Sequence, residues 1–153
     1  MTLRPRAVAI LLNDHREVLL MLRRKQGREY ATLPGGGIEP GETPEGACAR
    51  EVLEEVNLVV QVGPPVFRLQ AMGNDEHYFH VTYVSGEMRL GDGPEAIRSS
   101  QENWYEPQWI SVERMDDVNF VPPELRDVVR GLVSGDPSLQ PLPPRRGASE
   151  GES

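Results

Sequence analysis

Three glutamates, Glu51, Glu54 and Glu55, offer the richest chemistry in this sequence, the second and third standing three and four residues after the first. In a helix each residue turns the chain by about 100°, which brings these carboxylates to one face while Cys48, Ala49, Val52 and Val56 fall mostly on another. Like charges at those spacings cost a helix roughly 0.2–0.5 kcal/mol per pair, so without a neutralising partner the cluster is a poor way to build a solvated face. Arg50, four residues before Glu54, can neutralise and orient one carboxylate. The remainder suits a hard divalent ion, which takes oxygen ligands; magnesium is usually held by one or two carboxylates together with substrate phosphates. The competing reading is that glutamate is a good helix former and that these residues simply face water.

Other residue types offer less. Cys48 is the single cysteine, which excludes an internal disulfide and a cysteine-rich zinc site, and its place on the packing side of the helix reads as core. His77 and His80 share neither a metal spacing nor a nucleophile partner and read as structural. Arg23 either meets a substrate phosphate or is a plain exposed charge. Tyr78, Phe79, Tyr83 and Trp104 include candidates for stacking on a base, although alternating aromatics in a strand more often fill a core.

The elements that must position these groups follow from local signals. Arg6 to Leu12 and Val18 to Leu22 are rich in branched residues and read as two strands of a hairpin turned at Asn13-Asp14. Tyr30 to Leu33 is extended, and Pro34 to Gly37 reads as a loop in which Gly35, Gly36 and Gly37 let the backbone pass close to a ligand. Thr43 caps the helix, Pro44 fits its first turn, Glu45 suits its positive end, and the helix runs to about Val56. Leu58 to Val62, Val66 to Gln70, Tyr78 to Val84 and Gln108 to Val112 are further strands, the first two separated by Gly63-Pro64-Pro65. A second helix spans Glu124 to about Val133, with Leu125, Val128, Val129 and Leu132 on one face. The interleaved order is that of an α/β domain over residues 1–133, and 134–153 reads as a disordered tail of proline, glycine, serine and charge.

Gly36, Glu42, Arg50, Glu51, Glu54 and Glu55, with apolar Val52 and Leu58, match the pattern G-x5-E-x7-R-E-U-x-E-E-x-G-U, where U is a bulky aliphatic. Six such identities have roughly one chance in ten million per start position. The pattern resembles the Nudix box, the signature of the Nudix hydrolases, with Asn57 where the family usually has glycine. Asparagine is the next best residue for the left-handed position that ends a helix, so the departure is mild. The resemblance implies an α/β/α sandwich around a mixed sheet, with the box holding magnesium or manganese and the enzyme hydrolysing a diphosphate linked to another moiety. It assigns Glu51, Glu54 and Glu55 to the metal, with the Gly35 carbonyl as a further ligand and Glu51 also a candidate base. Arg50 would orient the carboxylates and Glu42 support them. Glu102, in a polar loop, stands where many members place another acidic residue near the metal. Arg23, Gly36 and Gly37 would meet the substrate.

The chain has 153 residues, 24 acidic against 16 basic, for a net charge of −8. That balance argues against a nucleic acid polymer as partner. No apolar run approaches the roughly 18 residues of a membrane helix, and no leader pattern is evident, so a cytoplasmic protein is expected, a monomer or homodimer acting on a small molecule. The leading function is metal-dependent hydrolysis of a small nucleoside diphosphate derivative. The alternatives are a pyrophosphatase or isomerase acting on a non-nucleotide diphosphate, and a non-catalytic nucleotide sensor.

Overall fold

The computed structural model of the chain describes residues 2–89 and 103–135, without the side chains of Asn103 and Trp104. Glu102 and the part of the expected tail from residue 136 onward lie outside the described residues.

Strands β1 (Arg4–Leu11), β2 (Glu17–Lys25), β3 (Arg28–Thr32) and β4 (Gly35–Gly37) precede helix α1 (Pro44–Val56). Then come β5 (Val59–Ala71), β6 (Asn74–Ser85), β7 (Asn103–Ser111), a 3₁₀ segment at Val112–Val118 and helix α2 (Leu125–Ser134). They form a four-stranded mixed sheet in the order β4-β1-β6-β5, with β1 and β6 parallel, and an antiparallel sheet in the order β3-β2-β7. The α/β architecture around a mixed sheet is the expected one.

The expected hairpin is confined to its turn. Asn13 Oδ1 accepts from the backbone N–H groups of His15 and Glu17, and Leu12 bridges to Val18, but beyond that β1 and β2 part into different sheets. Both strands are buried on both faces, Ala7 to Leu11 in one and Val18 to Met21 in the other, and each needs its own pair of covering layers. On β1 and β6 the alternation divides the core. Ala7, Ala9, Leu11, Phe79 and Val81 pack under Cys48, Val52 and Val56 of α1, whereas Val8, Ile10 and Tyr78 face Leu125, Val129 and Leu132 of α2.

Two further expectations are corrected. Gly35 to Gly37 forms the short edge strand β4 on β1 rather than a free loop. The strands expected on either side of Gly63-Pro64-Pro65 are one strand, β5, with register shifts at Val62/Pro65 and Pro65/Phe67. A sheet edge tolerates the prolines because bulges and the solvent side absorb their missing donors. At the other end α2 continues one residue past Val133.

Helix α1 begins and ends as its sequence requires. Thr43 Oγ1 accepts from Gly46 N, Pro44 opens the first turn, and Asn57 closes the helix at φ 65°, ψ 31° with its N–H on Leu53 O. The side chain of Asn57 also donates to Glu87 O at 2.9 Å. Asn57→Gly is therefore expected to be near neutral, within about 1 kcal/mol, because the relief of left-handed strain offsets one exposed hydrogen bond. Urea unfolding checks this; a loss well beyond that value would make the link to Glu87 a principal tether.

Candidate active site

The site is built where α1 crosses the edge of the mixed sheet. Gly36 is paired with Ala7, and a Cβ added to Gly36 would lie 2.3 Å from Glu51 Cδ and 2.5 Å from each of its carboxylate oxygens. Glycine is thus what allows the Glu51 carboxylate to lie against β4. Glu51 is 15% exposed and Glu54 43%, and both line a cleft of about 690 Å³ with Gly35, Gly36, Gly37, Arg50 and Arg23.

Arg50 ties this corner together. Its Nε and Nη2 donate to Glu42 at 2.6 and 2.9 Å, its Nη1 to Glu51 at 3.1 Å and Glu54 at 3.2 Å, and its Nη2 also to Gly37 O at 3.0 Å. The forked guanidinium can do this where a lysine point charge cannot. The bond to Glu42 pushes the Arg50 pKa further up, and Arg50 remains charged at any working pH.

Glu51 and Glu54 share Arg50 and the cleft, while Glu55, one helical turn after Glu51, is not among the residues that line it. Glu55 is 2% exposed among the packed residues of α1, and its Oε1 accepts from Gly35 N at 3.1 Å, fastening the helix to the edge strand. Among the described residues no three histidine, cysteine, aspartate or glutamate side chains converge as a preformed cation cage. What Glu51 and Glu54 do offer is an all-oxygen donor pair at a cleft wall, which fits a hard divalent cation.

The remaining candidates sort plainly. Arg23 lines the cleft, with Nε on Thr32 Oγ1 at 2.9 Å and its guanidinium 4.8 Å from the Tyr105 ring centre. Cys48 is fully buried, and desolvation, helped by Glu45 and Glu51, pushes its thiol up to about 12, so it is no nucleophile. Tyr78 and Phe79 are core, while Tyr83 is half exposed. Burial lowers the His80 pKa, in keeping with a neutral structural residue. Residue-by-residue inspection of the sequence missed Arg6, Asn74 and Glu76, which line the same cleft. No local pattern marks them, since Asp75 and His77 on either side of Glu76 are polar as well, and only the pairing of β1 with β6 brings Arg6 to Glu76.

Several carboxylates are held near the bottom of their range by arginines. Glu42 is lowered from 4.5 to about 2 by the Arg50 bonds and the Glu39 N–H, Asp75 from 3.8 to about 2 by Arg68, and Glu113 from 4.5 to about 2 by Arg16. Because each folded pKa lies below the unfolded one, the stability they supply is complete above about pH 4.5 and is lost as pH falls toward 2. The melting temperature is expected to drop through that window, and Glu42→Gln to make the drop shallower. Identical acid limbs for Glu42→Gln and wild type would contradict this.

A Bacillus subtilis (strain 168) protein named for a supposed 8-oxo-dGTP diphosphatase activity is 32% identical over 91 residues, covering 58% of this chain and 59% of its own length. The RNA pyrophosphohydrolase of Yersinia enterocolitica is 46% identical over 55 residues, covering 36% of this chain and 30% of its own. The chain thus spans less than two thirds of either relative. In fold it resembles a Nudix hydrolase from Nitrosomonas europaea, with TM-score 0.69, 19% identity and coverage of 93% of this chain and 76% of that one. A Nudix-family hydrolase from Clostridium perfringens gives TM-score 0.67, 18% identity and coverage of 89% and 99%. The NUDIX domain profile matches residues 2–130, and the chain belongs to the Nudix family.

Proposed function

We propose that the protein hydrolyses a diphosphate linkage in a small nucleoside diphosphate derivative, with magnesium or manganese as cofactor. The observation that carries this reading is the sharing of one cleft by the Glu51 and Glu54 carboxylates, the glycine strand and Arg23. The relatives' names, diphosphatase and pyrophosphohydrolase, support a phosphoric anhydride as the bond attacked.

Glu51, Glu54 and Glu55 would hold the divalent ion, which when bound screens phosphate charge and acidifies water. Glu51 lies against Gly36 and is the candidate base that takes the proton of the attacking water. Arg50 holds Glu51 and Glu54 in register and Glu42 in turn holds Arg50. Glu55 fixes the strand from which Gly36 and Gly37 present backbone to the phosphates. Arg23, its Nε already on Thr32, has a guanidinium in the cleft to meet a phosphate oxygen. No covalent protein intermediate is needed.

The test is a screen with magnesium or manganese over nucleoside triphosphates, oxidised nucleotides, dinucleoside polyphosphates, sugar nucleotides and dinucleotide cofactors. Phosphate release is read with and without added phosphatase, which separates cleavage between phosphates from removal of a terminal one. Metal-dependent release from at least one class is expected; binding without release from any would identify a sensor and overturn the hydrolase reading.

A further inference from the structure

The register of the mixed sheet sets out a row of residues across the floor of the cleft. Gly37 of β4 pairs with Arg6 of β1, Arg6 with Glu76 of β6, and Glu76 with Leu69 of β5, and all four line the cleft. Neighbouring strands are about 4.8 Å apart, so Glu76 lies two strand steps, roughly 10 Å, from the glycine strand. A nucleoside whose phosphates rest at Gly37 can reach Arg6 and Glu76 with its base along this row.

The groups there form a fixed reading surface. Arg6 Nε donates to Glu76 Oε2 at 3.1 Å, and the Tyr78 hydroxyl donates to Glu76 Oε1 at 2.6 Å. Burial, and then the bond to Glu76, raises the Tyr78 pKa, so the phenol stays a donor. The carboxylate is held in one orientation, and each oxygen keeps a lone pair for a ligand. Among the described residues the terminal nitrogens of Arg6 take no partner, and they offer donors beside that acceptor pair. Leu33, Leu69, Val121 and Pro122 supply apolar lining. Two side-by-side acceptors with a donor next to them complement one edge: N1–H and N2–H2 of guanine on the two Glu76 oxygens, with O6 toward Arg6. Adenine would set its N1 lone pair against the carboxylate, and a uracil edge has one donor instead of two.

Building on the nucleotide hydrolase reading, we infer that Glu76 and Arg6 select the base of the substrate and that they favour a guanine edge. Position 8 of the ring is not part of that edge, so guanine and 8-oxoguanine meet the same pair.

The experiment is equilibrium binding, by calorimetry, of GMP, IMP and AMP, which have no diphosphate to cleave. Wild type is expected to bind GMP about tenfold or more tighter than AMP, the discrimination a bidentate base contact supplies, with IMP between them because it lacks the N2 amine. Glu76→Gln, which turns one acceptor into a donor, should abolish the preference while the melting temperature stays within a few degrees. The wild-type series decides the matter even if that variant fails to fold, and Arg6→Gln should also reduce the preference. Equal binding of GMP and AMP, binding of no monophosphate, or an undiminished preference in a folded Glu76→Gln protein overturns the inference. A GMP preference without hydrolysis in the screen would sink the hydrolase reading alone, and hydrolysis blind to the base would sink this inference alone.

Discussion

Alanine at Gly36 is expected to lower turnover by about two orders of magnitude or more while leaving the protein folded. Its Cβ would fall 2.3 Å from Glu51 Cδ, closer than nonbonded carbons come, and something must move. The backbone of β4 is held through Gly36 against Ala7, whereas the Glu51 carboxylate is the end of a flexible side chain, so the carboxylate yields. A displacement of about 1 Å in a positioned catalytic group can cost a hundredfold in rate, and the 3.1 Å bond from Arg50 to Glu51 would be lost with it. The neighbouring Gly35 gives the contrast. There an added Cβ meets Ala7 O at 2.5 Å and Val8 Cα at 2.8 Å, both backbone, so Gly35→Ala should lower stability first. Steady-state kinetics beside thermal melts separate the cases. Full activity in Gly36→Ala would show that Glu51 has room the structure does not give it.

Arg50→Lys should damage both stability and turnover. Five hydrogen bonds end on this guanidinium, and they join Glu42, Glu51, Glu54 and the Gly37 carbonyl. An ammonium keeps the charge and can satisfy one or two of those oxygens, leaving the remaining carboxylates facing each other. Arg50 is 25% exposed, so water relieves part of the loss. A stability loss of about 1–3 kcal/mol is expected, the range for partly buried hydrogen bonds to charged groups. Turnover should fall at least tenfold because Glu51 and Glu54 lose their common restraint. Urea unfolding and kcat measured on the same preparation check both. A lysine variant matching wild type in each would mean that charge alone is sufficient and that the fork organises nothing.

Local signals were legible in the sequence and non-local ones were not. The cap at Thr43, the proline start and the left-handed Asn57 are all within α1 or one residue of it, and they appear as expected. So does Arg50 on Glu54, an i,i+4 pair. Glu55 shows how a chemical pattern outweighed a periodic one: it follows Cys48 by seven residues, which puts it within about 20° of that buried side chain. The helix period placed it in the core, and the Gly35 N–H waiting there came from a strand 20 residues earlier. Arg6 and Glu76 meet only because β1 and β6 run parallel across a separation of 70 residues. Nothing near either residue announces the other. The hairpin expected from β1 and β2 failed for a related reason, since two strands buried on both faces are claimed by different partners.

If the carboxylates beside Gly36 perform the hydrolysis, Glu51→Gln must disable it without unfolding the protein. Glutamine keeps the shape of the side chain and an oxygen for Arg50, but it removes the charge that would hold the cation and the basic site that would take the proton. Magnesium-dependent turnover of the best substrate from the screen should fall by about a thousandfold or more, in the range for loss of a general base together with a metal ligand. The melting temperature should stay within a few degrees of wild type. A folded Glu51→Gln protein that turns over substrate at the wild-type rate would move the chemistry away from this helix.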